Sequence, residues 1–170
     1  MAQNKDFIKQ KYLVDLKSKK ISIAQINDNQ PFVLIFIAAE CPISQKYAPI
    51  LRGMQRHFGA VKFIAIFSKW DKREAMKEYL RDYPLSMAAF RDEKNRLVEH
   101  IQALITPEAF LFDEKGILQY RGAIDNWFYG LGKYRPDATE HYLADAIQLF
   151  LNNEPIKIKK TDAIGCIIEK

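Results

Sequence analysis

Cysteine is scarce in this sequence: Cys41 and Cys166 are the only two in 170 residues. Two are too few for the disulfide scaffold of a small secreted domain. They lie far apart in the chain, so the fold decides whether they meet. No apolar run approaches the roughly 18 residues that cross a bilayer, so no membrane span is expected. The opening residues Met1-Ala2-Gln3-Asn4-Lys5-Asp6 lead into a polar stretch where a secretory leader would be apolar. The compartment stays open between cytoplasmic and, if a leader has been removed, periplasmic or otherwise exported. Internal repeats and low-complexity segments are missing too. His57, His100 and His141 are the only histidines and fall on three different predicted helices, without the spacing of a metal site. Neither a metal nor a cofactor is expected. Neither sign of charge dominates: 26 basic and 21 acidic residues leave a net charge of +5. Lys17, Lys19 and Lys20, and then Lys157, Lys159 and Lys160, cluster near the ends with no binding motif beside them. They read as solvated surface, not as a nucleic-acid footprint.

What is present is enough apolar material, 48% of the chain, for a core of ordinary size. The length suits one domain over residues 1–170, with an N-terminal extension of about ten residues and a C-terminal tail over about 153–170. The central stretch is Val33-Leu34-Ile35-Phe36-Ile37-Ala38, too short for a buried helix and rich in β-branched and aromatic residues. It predicts a strand buried on both faces. At Cys41 the pattern changes. Pro42 suits the first position of a helix, where its missing N–H has no partner to lose. Tyr47, Ile50, Leu51, Met54 and Phe58 then recur at helical spacing up to a stop at Gly59. A cysteine thus sits where a core strand hands over to a helix N-terminus. Free N–H groups and the helix dipole there favour thiolate over thiol.

Around this stretch the chain alternates. Tyr12 to Leu16 and Ile21 to Ile26 are strand candidates, and 27–31 is a turn cluster. Val61 to Phe67 predicts a second buried strand. Asp71 is placed to cap the next helix, with Glu74 in the capping-box position and Tyr83-Pro84 as its end. A short strand over 86–90 and a helix over 95–103 follow. Ala109 to Phe112 and Ile117 to Tyr120 flank Asp113-Glu114-Lys115-Gly116 as a β-hairpin. Residues 123–136 read as a loop rich in glycine and aromatics, and a last helix starts near Asp137. Alternation of this kind predicts an α/β fold, a parallel core sheet covered by helices with an antiparallel edge from the late hairpin.

Strand-Cys41-x-x-Ser44-helix, with Pro49 eight residues after Cys41, resembles the thioredoxin fold, whose motif is Cys-x-x-Cys followed by a helix-kinking proline. Thr106-Pro107, just ahead of the hairpin, is similar to the threonine and cis-proline that face the active-site cysteine there. The Lys115-Gly116 turn and Tyr120-Arg121-Gly122 resemble the redoxin branch, which includes the alkyl-hydroperoxide reductases. The resemblance covers roughly residues 10 to 152. It implies a thioredoxin-like three-layer sandwich, with a central mixed sheet and helices on both faces. It also implies thiol–disulfide exchange with protein or small-molecule disulfide and thiol substrates, and an external thiol reductant. Some positions depart from the pattern. Ser44 stands where the second cysteine would be, so a disulfide within the motif is impossible. Ile35 takes the place of the buried acid of thioredoxins. Ala38 and Leu34 replace the threonine and proline of peroxiredoxins, which argues against an efficient peroxidase.

The site residues expected on this reading are Cys41 as nucleophile and Ser44 as a hydroxyl that steadies its thiolate. Thr106, Pro107 and Pro42 are expected at the substrate-binding surface. Two readings stand for Cys166: an ordinary tail thiol, or the resolving cysteine if the tail folds back over Cys41. The Gly165-Cys166 ending is similar to the C-terminus of some redoxins that carry a Glu-Cys-Pro-Ile-Ser segment. Cys41 likewise reads either as reactive or as buried and inert, and Glu40 beside it opposes ionisation. The functional alternatives are a thiol peroxidase using the same cysteine, or a redox-silent module whose aromatic residues Trp70, Trp127, Phe128 and Tyr129 hold a partner.

Overall fold

The computed structural model describes residues 8–169. The apolar segment before Cys41 forms β3 (Phe32–Phe36), all five residues buried, at the middle of a seven-stranded sheet. In chain order the other strands are β1 (Tyr12–Val14), β2 (Lys20–Ser22), β4 (Lys62–Phe67), β5 (Ala88–Arg91), β7 (Glu108–Phe112) and β8 (Leu118–Gly122). Their order across the sheet is β2-β1-β5-β4-β3-β7-β8. The strands β3, β4 and β5 run parallel, β7 and β8 add an antiparallel edge beside β3, and β1 and β2 add another beside β5. The mixed sheet follows from the connections: helices join the parallel strands, and the tight Asp113–Gly116 turn joins β7 to β8. Asp113 makes that turn, its carboxylate accepting from the N–H groups of Lys115 and Ile117 while Gly116 takes φ of 82°.

Because side chains alternate along a strand, β3 splits its residues between two cores. Val33 and Ile35 face α2 (Pro42–His57), α3 (Arg73–Asp82) and α5 (Tyr142–Leu151), where Leu51, Met76, Tyr79, Leu143 and Ile147 pack. Phe32, Leu34 and Phe36 face α1 (Ile23–Asn27) and α4 (Arg96–Ile101), meeting Ile23, Leu97 and Val98. The result is a three-layer α/β sandwich with a thioredoxin-like arrangement.

Several local expectations are corrected. Residues 21–26 are not one strand: β2 ends at Ser22 and α1 begins at Ile23. Ser22 and Gln25 make a reciprocal capping box that the alternating apolar pattern concealed. Asp71 does not cap α3; Lys72 occupies that position, and the Asp71 carboxylate is used elsewhere. The stop of α2 falls at Phe58, one residue before Gly59. Residues 123–136 contain a small hairpin, β9 (Phe128–Gly130) and β10 (Lys133–Tyr134). The last helix begins at Tyr142, not near Asp137. The expected N-terminal extension lies mostly outside the described residues, but Ile8 is buried in the second core.

Beyond α5 the tail returns to the body of the protein. Residues 159–161 lie along the outer edge of β8: Arg121 N–H donates to the Lys159 carbonyl at 3.0 Å and Thr161 N–H to that of Arg121 at 3.1 Å. Gly122 makes this approach possible, with φ of 135° and a place for a Cβ that would fall 2.2 Å from the Thr161 carbonyl oxygen. The chain then crosses to the mouth of the sheet, where β11 (Cys166–Ile167) pairs antiparallel with β6 (Ile105–Thr106).

Candidate active site

Cys41 is the N-cap of α2, with extended backbone angles and Pro42 as the next residue. Its placement is local in origin: β3 ends, Ala38 accepts the Cys41 N–H at 3.2 Å, and the helix starts. Ser44 lies one turn into α2, fully buried, its hydroxyl accepting from the Ala38 N–H at 3.3 Å. Its backbone carbonyl accepts the Tyr79 hydroxyl at 2.9 Å. Gln45 reaches back to the Ala39 carbonyl at 2.9 Å, closing the first turn against the loop. Pro42 is exposed, and so is Glu40, whose charge faces water and is screened there. Pro49 sits inside the helix.

Thr106-Pro107 forms the opposite wall. The peptide bond between them is cis, both residues are buried, and the Cys41 thiol donates to the Thr106 carbonyl at 3.2 Å. The loop that carries them is pinned by Glu108. One carboxylate oxygen accepts the Leu104 N–H at 2.9 Å and the Ile105 N–H at 3.4 Å, while the other accepts from Arg121 at 2.9 Å. Arg121 also donates to the carbonyls of Ile101 and Gln102. It is thus a half-buried brace behind the Thr106 wall.

The fold brings Cys166 to this mouth. Its sulfur lies 2.6 Å from that of Cys41, across 125 residues of chain, and both cysteines are free. In β11 Cys166 pairs with Thr106, and its carbonyl accepts the Thr106 hydroxyl at 3.4 Å. Cys41 is only 2% exposed beneath it.

Burial pushes the Cys41 thiol up. It is outweighed by donors aimed at the sulfur, first the Cys166 thiol, then the N–H and hydroxyl of Ser44, then the Cys166 N–H, so the net direction is down. Cys166 moves the other way, to about 12, through its own burial, its hydrogen bond to Cys41 and the charge on Cys41. Of the pair, Cys41 ionises first.

Asp71 is the residue whose part in the site the sequence did not disclose. Its carboxylate accepts from the Ala39 N–H at 2.8 Å, the Ser68 N–H at 3.1 Å and the Ser68 hydroxyl at 3.0 Å, tying the loop before Cys41 to the end of β4. Burial raises its pKa against those hydrogen bonds. The only sequence signal was a polar Ser-x-x-Asp directly after a buried strand. The aromatic residues divide: Phe128 is buried and Trp127 half-buried against Tyr47, whose hydroxyl donates to the buried Asp125. Tyr129 and Trp70 are exposed. Among the described residues, no group of three or more His, Cys, Asp or Glu is placed to hold a metal ion, and no helix is long and apolar enough to cross a membrane.

A central mixed sheet, a cysteine starting the helix after its middle strand, and a cis-proline loop facing that cysteine define a protein of the thioredoxin-like superfamily. The chain belongs to the AhpC/TSA family, which its residues 3–121 match. Nothing among curated proteins matches it. Solved structures share the fold. A hypothetical protein from Sinorhizobium meliloti 1021 superposes with a TM-score of 0.80 at 22% identity, covering 93% of this chain and 89% of its own. An uncharacterized conserved protein from Geobacillus kaustophilus also gives 0.80, at 20% identity and 95% and 90% coverage. A secreted Mycobacterium tuberculosis disulfide oxidoreductase, homologous to E. coli DsbE, gives 0.63 at 18% identity, with 84% of this chain and 98% of that one covered.

Proposed function

We propose that this protein is a thiol–disulfide oxidoreductase in which Cys41 is the nucleophile and Cys166 the resolving cysteine. The observation that carries the reading is the pair of sulfurs 2.6 Å apart at the start of α2, one held toward the thiolate and the other toward the thiol. The Cys41 thiolate attacks one sulfur of a substrate disulfide, forming a mixed disulfide and expelling the other sulfur as a thiolate that takes up a proton. Cys166 then gives up its proton and attacks the Cys41 sulfur. This forms a Cys41–Cys166 disulfide and releases the substrate's second sulfur as a thiol. Two electrons have passed from the cysteine pair to the substrate, and an external thiol returns them. Ser44 donates to the Cys41 sulfur, and Thr106 and Pro107 bound the space where the substrate sulfur approaches. No cofactor is required for this chemistry.

The test is stoichiometric. Reduced protein given a small disulfide should lose two hydrogens in mass without retaining the small thiol. Cys166→Ser should stop at a stable mixed disulfide on Cys41, and Cys41→Ser should react at neither rate nor extent. Retention of the small thiol by the unaltered protein would overturn Cys166 as resolver. A peroxide-consumption assay run on the same variants separates peroxidase chemistry. The residue at position 38 is alanine and its N–H is taken by Ser44, so little turnover of peroxide is expected.

A further inference from the structure

With the tail in place no outside sulfur can reach Cys41, which is 2% exposed. The material covering it is a strand. Residues 166–167 pair with 105–106, the Ile168 N–H donates to the Leu104 carbonyl at 2.8 Å, and the Glu169 carbonyl accepts from Trp70 at 2.9 Å and Asn95 at 3.1 Å. The side chain of Ile168 is buried, while that of Ile167 is 80% exposed. Lifting this strand uncovers the cysteine and strips the Leu104–Thr106 edge of its backbone partners, and such an edge takes another extended chain readily. The occupant is constrained at one point above all. A Cβ on Gly165 would stand 2.0 Å from the Thr106 carbonyl oxygen, a backbone atom that cannot step aside.

We infer that the edge of β6 is a docking groove for an extended polypeptide with glycine immediately before its cysteine, and that the protein's own tail and this substrate strand occupy it in turn. The inference rests on the proposed exchange reaction and names its substrate class. The glycine lets the incoming backbone close on Thr106, which puts the cysteine opposite Thr106 and its sulfur on Cys41. The apolar residue two positions after the cysteine fills the place of Ile168. Once the mixed disulfide has formed, the returning tail competes for the same hydrogen bonds while Cys166 attacks Cys41. Release of the reduced polypeptide is therefore coupled to resolution. Small disulfides satisfy none of the edge groups and gain nothing from the groove.

Two arms test this. In the first, labelled Ile-Gly-Ser-Ile-Ile-Glu peptide is titrated by anisotropy into full-length Cys41→Ser protein that also carries Gly165→Val to keep its own tail out. This arm involves no sulfur chemistry, so it stands even if the exchange reaction fails. The peptide should bind, and replacing its glycine by valine should weaken it by on the order of tenfold or more. In the second, unaltered protein receives the cysteine peptide as a disulfide with a small leaving thiol. Reaction should exceed that of a small disulfide by a similar factor and fall when the peptide's glycine is replaced. Trp70→Phe, which loosens the tail without touching the groove's strand, should speed alkylation of Cys41. Equal behaviour of the glycine and valine peptides in the first arm would overturn the inference. So would Cys41–Cys166 links between two copies as the main oxidised product of the unaltered protein, which would assign the groove to a second copy's tail.

Discussion

Cys41 and Cys166 carry the same side chain in opposite electrostatic settings. Cys41 receives donors from Cys166 and Ser44 strong enough to reverse the effect of burial, whereas burial, the hydrogen bond it gives to Cys41 and the charge forming there all hold Cys166 as the thiol. The largest of the lowering contributions comes from the Cys166 thiol, so Cys166→Ala should raise the Cys41 pKa. Titrated by thiolate ultraviolet absorbance, the unaltered protein should release one thiol proton below the ordinary free-cysteine range, about 8.5, and the other only near about 12. The variant, with a single cysteine left, should show one midpoint displaced upward. A midpoint unmoved by the substitution would show that Ser44 and the helix terminus alone hold the thiolate. The sign also fixes a stability trend. A depressed Cys41 pKa adds stability above the unfolded value, and that contribution is lost as pH falls through the folded pKa. Arg121 is a second residue-scale case: with Glu108 only 7% exposed, Arg121→Ala leaves a buried carboxylate unpaired. A loss of about 3–5 kcal/mol is expected in denaturant unfolding.

Elements with a local signature were readable in the chain. The strand before Cys41 and the helix after it announce themselves by composition and by 3.6-residue spacing, and the hairpin around Gly116 by its turn residues. Elements decided by side-chain competition were not. The Ser22 and Gln25 cap turned an alternating stretch into a helix. Asp71 was drawn from a helix cap to the Ala39 N–H, a group 32 residues away in sequence. The tail is the extreme instance: a basic, β-branched segment without alternating or helical periodicity finds its strand partners at the edges of β8 and β6. Its docking on β8 depends on Gly122. Gly122→Ala combines a left-handed backbone angle with a clash against Thr161. It should cost about 1–3 kcal/mol and increase protease cutting within residues 157–165.

At the scale of the whole molecule, the tail closes a loop of 125 residues onto the head of the sheet. Oxidation to a Cys41–Cys166 disulfide would restrict the unfolded chain over that span. The oxidised protein should therefore withstand denaturant better than the reduced one by up to about 5 kcal/mol. Comparison of unfolding midpoints with and without reductant checks this, and equal midpoints would argue against the bond. The sequence alone determined the α/β class, the alternation of strands and helices from β3 to the hairpin, and the position of a cysteine at a helix start. Hydrophobic periodicity and turn chemistry act over a few residues and survive reading in one dimension. Only the tertiary structure decided that Cys166 reaches Cys41, that Asp71 and the Arg121–Glu108 pair hold the two walls, and that the tail seals the mouth. Each of these depends on groups far apart in the chain coming within hydrogen-bonding distance, and that distance belongs to the packed sheet.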